Sequence, residues 1–264
     1  MIINTKNQGS FQEDGFIKIP NFLANEDIKK SLHIIKSKRE DIDHKHNWVK
    51  IKFPTRILSL LIKLAKFQFK IILQSLYLRR LHKKIQCNLI INNLMPEKKL
   101  SLIDIDLNYS PVTSLPIVDW HADSLYLLGG SKNSIYKFFI YLTPTKKKSG
   151  SLAFLKKTQK LNTLIADLMK NNQLPTKKLY SIKDYYEYLS IPEVKIVLIK
   201  KISLEEFNFF FDLISKVYKN PETDDYDIEC NSGDCILFNE IGIHRGGINK
   251  IQERFVLRFL YREI

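Results

Sequence analysis

The chain is poor in the residues that would mark a secreted scaffold or a structural zinc protein. It has three cysteines, Cys87, Cys230 and Cys235, none in a Cys-x-x-Cys pair. An odd number without a regular framework excludes a disulfide-stapled fold and fits a reducing compartment. The opening Met1-Ile2-Ile3-Asn4-Thr5-Lys6 lacks both the apolar run of a signal peptide and the arginine-rich amphipathic character of a transit peptide, so the expected location is cytoplasmic. No apolar stretch of spanning length is free of charge. The longest candidate, Arg56 to Lys84, is broken by Lys63, Lys66 and Lys70, which argues against a transmembrane helix. Internal repeats, low-complexity segments and recognised nucleic-acid motifs are also missing, so specific nucleic-acid binding is not expected.

What is present is apolar bulk and an uneven charge. With 44% hydrophobic residues, 16 Phe and 12 Tyr, the 264-residue chain can bury a sizeable core. One domain over residues 1–264 is expected, with an N-terminal strand and basic helical region (1–100) ahead of a β core (101–264). Residues 29–100 carry 18 Lys and Arg against 4 Asp and Glu, a net of +14, so this block holds the whole imbalance of the chain. Charge so localised favours an anionic substrate or surface. Lys63, Lys66 and Lys70 form one stripe of a basic amphipathic helix over 56–84, which either buttresses the core or lies on an anionic membrane; the first is the commoner arrangement.

Hydrophobic periodicity and turn residues predict the remaining elements. Residues 1–14 are polar and read as frayed. Gly15 to Phe22 reads as a strand, followed by a helix capped by Asn25 and running to about Lys38. Asp41 to Lys52 reads as a polar connection; its Asp43-His44-Lys45-His46 is better explained by a solvated loop than by a metal site. Ile85 to Leu94 and Leu100 to Tyr109 read as strands, the second with Leu102, Asp104, Asp106 and Asn108 on one face. Pro111 to Pro116 reads as a loop, and Tyr136 to Leu142 and Ser151 to Leu155 as strands. Residues 160–228 form an insertion with helices over Leu161 to Met169 and Leu204 to Tyr218. Ser232-Gly233-Asp234 is a tight turn that launches Cys235 to Phe238.

The chemistry concentrates in Trp120-His121-Ala122-Asp123-Ser124 and, far downstream, Ile243-His244-Arg245-Gly246-Gly247. On extended backbone His121 and Asp123 leave the chain on the same side. A second imidazole, His244, would complete two histidines and one carboxylate, the set that holds non-haem Fe(II) with open positions for substrate and oxygen. Beyond His244, the run Arg254 to Arg262 alternates, with Arg254, Val256, Arg258 and Leu260 on one face. A charged arginine near iron calls for an anion, and a dicarboxylate would meet it in bidentate geometry. On the strand from Tyr136, Lys137 and Tyr141 share a face with Phe139; if that face looks inward either could touch a co-substrate or substrate, and the equal alternative is a lysine whose head runs out to water.

Four strings, WHADS, YKFFIYLTP (Tyr136 to Pro144), SGSLAFLKKTQK (Ser149 to Lys160) and the segment from Ser232 to Arg262, resemble the phytanoyl-CoA dioxygenase family, as does the opening Gly15 to Leu23. The resemblance implies an α+β protein with a mainly β core: a double-stranded β-helix (jelly roll, cupin-like) buttressed by N-terminal helices. It implies Fe(II), 2-oxoglutarate and O2 as cofactor and co-substrates. His121, Asp123 and His244 match the iron ligands, and Arg254 the arginine that binds the distal carboxylate of 2-oxoglutarate. Arg254 falls ten residues after His244, one fewer than is usual in the family, which leaves Arg258 as an alternative. The expected activity is oxidation of a C–H bond of a small, anionic substrate with release of succinate and CO2. Hydroxylation is preferred over halogenation, because the family's halogenases lack the carboxylate that Asp123 supplies. The rival reading is a catalytically silent β-helix protein that binds an anionic ligand through its basic block.

Overall fold

The computed structural model describes residues 5–37, 49–53, 69–123 and 134–264. Its centre is a pair of antiparallel sheets. The larger has six strands in the order β1 (Phe16–Ile19), β8 (Cys235–Asn239), β5 (Ile135–Tyr141), β10 (Arg254–Glu263), β3 (Leu100–Ser110) and β2 (Val49–Phe53). The smaller has four, in the order β4 (Thr113–His121), β9 (His244–Asn249), β6 (Leu152–Phe154) and β7 (Asp227–Ile228). Strands distant in sequence are neighbours in both sheets, as the double-stranded β-helix requires.

Two apolar layers cover the outer faces, and a third lies between the sheets. Helices α2 (Asn25–Lys36), α3 (Phe69–Lys84) and α4 (Cys87–Leu94) press Ile35, Leu78, Ile91 and Leu94 against Ile105, Leu107, Phe138 and Phe259 of the large sheet. The insertion contributes α5 (Thr158–Lys170), α6 (Ile182–Leu189), α7 (Pro192–Ile202) and α8 (Leu204–Lys219), which enclose Leu161, Tyr185, Val194, Phe207 and Phe210 beside Trp120 and Ile243. Between the sheets, Phe139, Phe154, Ile236, Phe238 and Val256 make a smaller cluster. It fills one part of the interior, and a polar cavity takes the rest.

Several sequence expectations change. Residues 5–14 form helix α1 (Thr5–Asp14), held by Phe11, 4% exposed, which inserts into the core beside Tyr136. Asn25 is not the cap of α2: Ala24 holds the N-cap position without a side-chain hydrogen bond. Residues 87–94 are a helix, because Cys87, Ile90, Ile91 and Leu94 are the buried positions, spaced for a helical face and not for a strand. The loop expected over 111–116 is largely strand, since β4 begins at Thr113 and pairs with Asn249. The connection expected over 41–52 ends in β2, and α6 and α7 add two helices to the insertion. The His-rich stretch 43–46 and the side chains of Lys63, Lys66 and Lys70 lie outside the described residues. Among those described, no helix is long and apolar enough to cross a membrane.

The polar groups buried under the helical cover include one imidazole. His82 of α3 lies against β10; its Nε2 donates to the Tyr261 hydroxyl, which donates to Asn88 Oδ1 at 2.5 Å. Burial, with help from Lys83, pushes the His82 ring down to about 4. An unfolded histidine titrates near 6.5, so between about pH 4 and 6.5 the unfolded chain binds the extra proton and stability falls as pH drops, by up to about 1.4 kcal/mol per unit. His82→Gln is expected to remove this contribution; chemical denaturation at a series of pH values measures it, and an unaltered slope would contradict the assignment.

Candidate metal centre

The pairing of β4 with β9 sets His121 directly opposite His244, with ring centroids 4.5 Å apart. Asp123 follows two residues on, past the end of β4. There the Ala122 amide donates to Tyr180 O at 3.1 Å and the Asp123 amide to Glu240 O at 3.2 Å, which keeps the chain extended and aims Asp123 to the same side as His121. His121 Nε2 lies 3.2 Å from Asp123 Oδ1, and His244 Nε2 3.6 Å from Asp123 Oδ2. One ligand atom from each residue falls within 4.8 Å of the other two.

The donor chemistry fits a divalent metal. Each imidazole uses Nδ1–H for a backbone carbonyl, His121 to Asp119 O at 2.6 Å and His244 to Gly242 O at 2.8 Å. That orients each Nε2 toward the common point, where the neutral form of the ring offers its lone pair, as metal-binding histidines are oriented. Burial, with His121 next in weight, pushes the His244 ring down to about 3, so it is neutral and competent at physiological pH. Burial alone would raise the Asp123 carboxyl, but the Lys137 ammonium in contact with it holds it well below the usual carboxylate range. His244 is also fixed by packing: its ring stacks on Phe154, which lies so close to Gly242 that a Cβ there would stand 2.2 Å from the Phe154 ring.

These groups form part of the wall of a cavity of about 290 Å³ between the sheets. The large sheet supplies the facing wall through the inward residues of β3, β5 and β10. Arg258 is bound through Nε and Nη2 to both oxygens of fully buried Asp106, at 2.6 and 3.0 Å, and lies over the Phe139 ring. Arg254, 5% exposed, donates Nη1 to Gly150 O at 2.6 Å, while its buried Nε has no hydrogen-bond partner among the described residues. Lys137 holds Asp123 Oδ2 in a short contact and Glu240 Oε2 at 2.8 Å. Tyr141 shares the inward face of β5, but its hydroxyl accepts the Leu152 amide at 3.1 Å and it is not on the cavity wall.

The structure therefore gathers His121, Asp123, His244, Lys137, Arg254 and Arg258 around one space, and leaves Tyr141 behind it. Sequence reasoning missed Glu240, Asp106 and Tyr180. Asp106 had a signal, the polar face of β3, which is now seen to line the interior through Asp106 and Asn108. Glu240 and Tyr180 had none, because a turn and the insertion bring them in. His244→Ala removes one of three ligands and is expected to weaken Ni(II) binding by roughly a hundredfold or more. Isothermal titration of the metal-free chain tests this, and His82→Ala should leave the affinity unchanged.

Comparison with known proteins agrees with this geometry. The chain matches the phytanoyl-CoA dioxygenase (PhyH) family over residues 11–254. No curated protein sequence matches it significantly. Among solved structures it is similar to HygX from Streptomyces hygroscopicus with nickel and 2-oxoglutarate bound, at 12% identity and TM-score 0.57, covering 98% of this chain and 87% of that one. It is also similar to EvdO2 from Micromonospora carbonacea var. aurantiaca complexed with 2-oxoglutarate, at 14% identity and TM-score 0.58, covering 100% and 92%. A third is the carbocyclase SnoK from nogalamycin biosynthesis, at 12% identity and TM-score 0.58, covering 98% and 84%. At such identities the structures attest the shared fold, and the family match carries the assignment: this chain belongs to the phytanoyl-CoA dioxygenase family of Fe(II)- and 2-oxoglutarate-dependent oxygenases.

Proposed function

We propose that the chain oxidises a C–H bond of a small organic substrate, using Fe(II), 2-oxoglutarate and O2 and releasing succinate and CO2. The observation that carries this reading is a two-histidine, one-carboxylate cluster facing a buried arginine with an unpartnered guanidinium nitrogen across one cavity. His121, Asp123 and His244 would hold the iron. Arg254 would hold the distal carboxylate of 2-oxoglutarate, because a buried donor without a partner is costly until an anion meets it. Although burial lowers its pKa, Arg254 stays charged, and it keeps its Gly150 anchor while Nε waits for the ligand. Arg258 is the weaker candidate, since both Asp106 oxygens already occupy it.

The iron site would supply activation of O2, the oxidant; two of its four reducing electrons would come from oxidative decarboxylation of 2-oxoglutarate to succinate and CO2 and two from the substrate C–H bond. The chain's own part is to orient both and to exclude water from the pocket. Asp123 remains as a ligand, so hydroxylation, or a related desaturation or ring closure, is favoured over halide transfer. The cavity supports anion binding for the co-substrate more than for the substrate: Lys137 and Arg258 are ion-paired with Asp123, Glu240 and Asp106. We place the protein in the cytoplasm, where its three buried free thiols, Cys87, Cys230 and Cys235, suit a reducing medium.

Succinate release by the iron-loaded chain, supplied with 2-oxoglutarate and a panel of candidate substrates, tests the proposal. Failure to bind iron, with no turnover even uncoupled from substrate, would favour the silent binding protein. The two arginines separate further. Arg254→Met is expected to weaken 2-oxoglutarate binding roughly ten- to hundredfold, the loss of a charged hydrogen bond worth about 1.5–3 kcal/mol. Arg258→Met leaves the Asp106 charge buried and is expected to cost about 3–5 kcal/mol of stability, with a smaller effect on the co-substrate. Binding titrations and denaturant melts of both variants read the two effects independently.

A further inference from the structure

The least expected feature of the cavity is a buried lysine beside the metal carboxylate. Lys137 is 8% exposed, and burying its ammonium away from water costs several kcal/mol unless it is fully compensated. Compensation comes from the two carboxylates it touches, Asp123 and Glu240. Glu240 is 5% exposed and opens the turn between β8 and β9, where its own amide donates to Ile135 O at 3.0 Å. Its backbone carbonyl accepts the Asp123 amide at 3.2 Å, and its carboxylate holds Lys137 at 2.8 Å. The lysine in turn grips Asp123 Oδ2. Glu240 therefore restrains both ends of Asp123: the main chain directly, and the carboxylate through Lys137.

We infer that Lys137 and Glu240 form an outer clamp on the metal ligand, holding Asp123 Oδ2 so that Asp123 binds the ion through Oδ1 alone. This rests on the metal-binding reading of the triad. Oδ1 faces His121 Nε2 at 3.2 Å and is the oxygen the lysine leaves alone. A carboxylate bound through one oxygen occupies one position on the metal, which preserves room for the co-substrate chelate and for oxygen. The clamp is neutral as a unit, Lys137 offsetting Glu240, so the triad keeps its single negative charge. Both residues are positioning residues: they act through Asp123 and form no bond to the metal.

The test uses the full-length, metal-free chain and Co(II), whose visible spectrum reports the number of ligand atoms. Lys137→Met is expected to weaken Co(II) binding about ten- to hundredfold, the usual effect of losing a group that orients a metal ligand. Its Co(II) spectrum should also shift toward higher coordination, as the released carboxylate binds through both oxygens. The double variant Lys137→Met/Glu240→Gln removes equal and opposite charges, so a positioning effect persists in it, whereas a purely electrostatic one cancels. Wild-type affinity and spectrum in either variant would overturn the clamp. Failure of the wild type itself to bind Co(II) at one site per chain would overturn the metal reading and the clamp with it. Thermal unfolding of the metal-free forms checks that each variant folds, and Lys137→Gln replaces any that does not.

Discussion

The structure depends on the antiparallel register between β4 and β9. Strand pairing places residue opposite residue, and here it sets His121 across from His244 with their rings in contact. A shift of one residue would turn one of the two imidazoles to the other face of the sheet and dissolve the cluster. The register is secured from outside the site. Arg245, next to His244, lies on the opposite face, where it stacks on Trp120 and binds Pro221 O, Thr223 O and Asp227 Oδ1. Trp120, next to His121, also donates to Pro221 O at 2.9 Å. The neighbours of both histidines thus converge on one stretch of the insertion, and the register of the two strands is fixed by contacts on the face away from the metal.

The insertion is therefore part of the site's support. Its helices bury the outer face of the small sheet, and its edge reaches the cavity through Tyr180, whose carbonyl accepts the Ala122 amide and whose ring lies 5.4 Å from that of His121. The opposite wall belongs to the large sheet, stiffened by the N-terminal helices. Charge is distributed accordingly. On the small-sheet side two imidazoles and one carboxylate converge as ligands for a cation, and on the large-sheet side Arg254 awaits an anion. Lys137 and Arg258, the other two cations of the cavity, are matched to carboxylates. The sequence excess of positive charge lies in residues 29–100, and none of the described residues of that block lines the cavity.

How much could be read in advance follows the range of each interaction. The strands β1, β3, β5, β8 and β10 were legible because alternation with a period of two is a local property, and so were the paired positions His121 and Asp123. Helix α4 was misread because Cys87 to Leu94 is short and rich in Ile and Leu, and only packing against the sheet selects the helical face. Helix α1 was missed because its composition is polar and its order comes from tertiary contacts, Phe11 in the core and Gln159 donating to Gln12 O and Glu13 O. The choice between Arg254 and Arg258 also waited for the tertiary structure: both lie on the same face of one strand, and only the position of Asp106 on the neighbouring strand ties up Arg258.

By itself the sequence determined which groups could act as ligands, since residue type and i, i+2 spacing are carried by the local chain, and it determined the family through strings that persist without the fold being seen. The tertiary structure alone decided which of the charged residues are available. Pairing of Lys137 with Glu240, of Arg258 with Asp106, and the solitary Nε of Arg254 all depend on strand neighbours remote in sequence. Burial makes such pairings consequential, because an ion withdrawn from water keeps whatever partner the fold supplies.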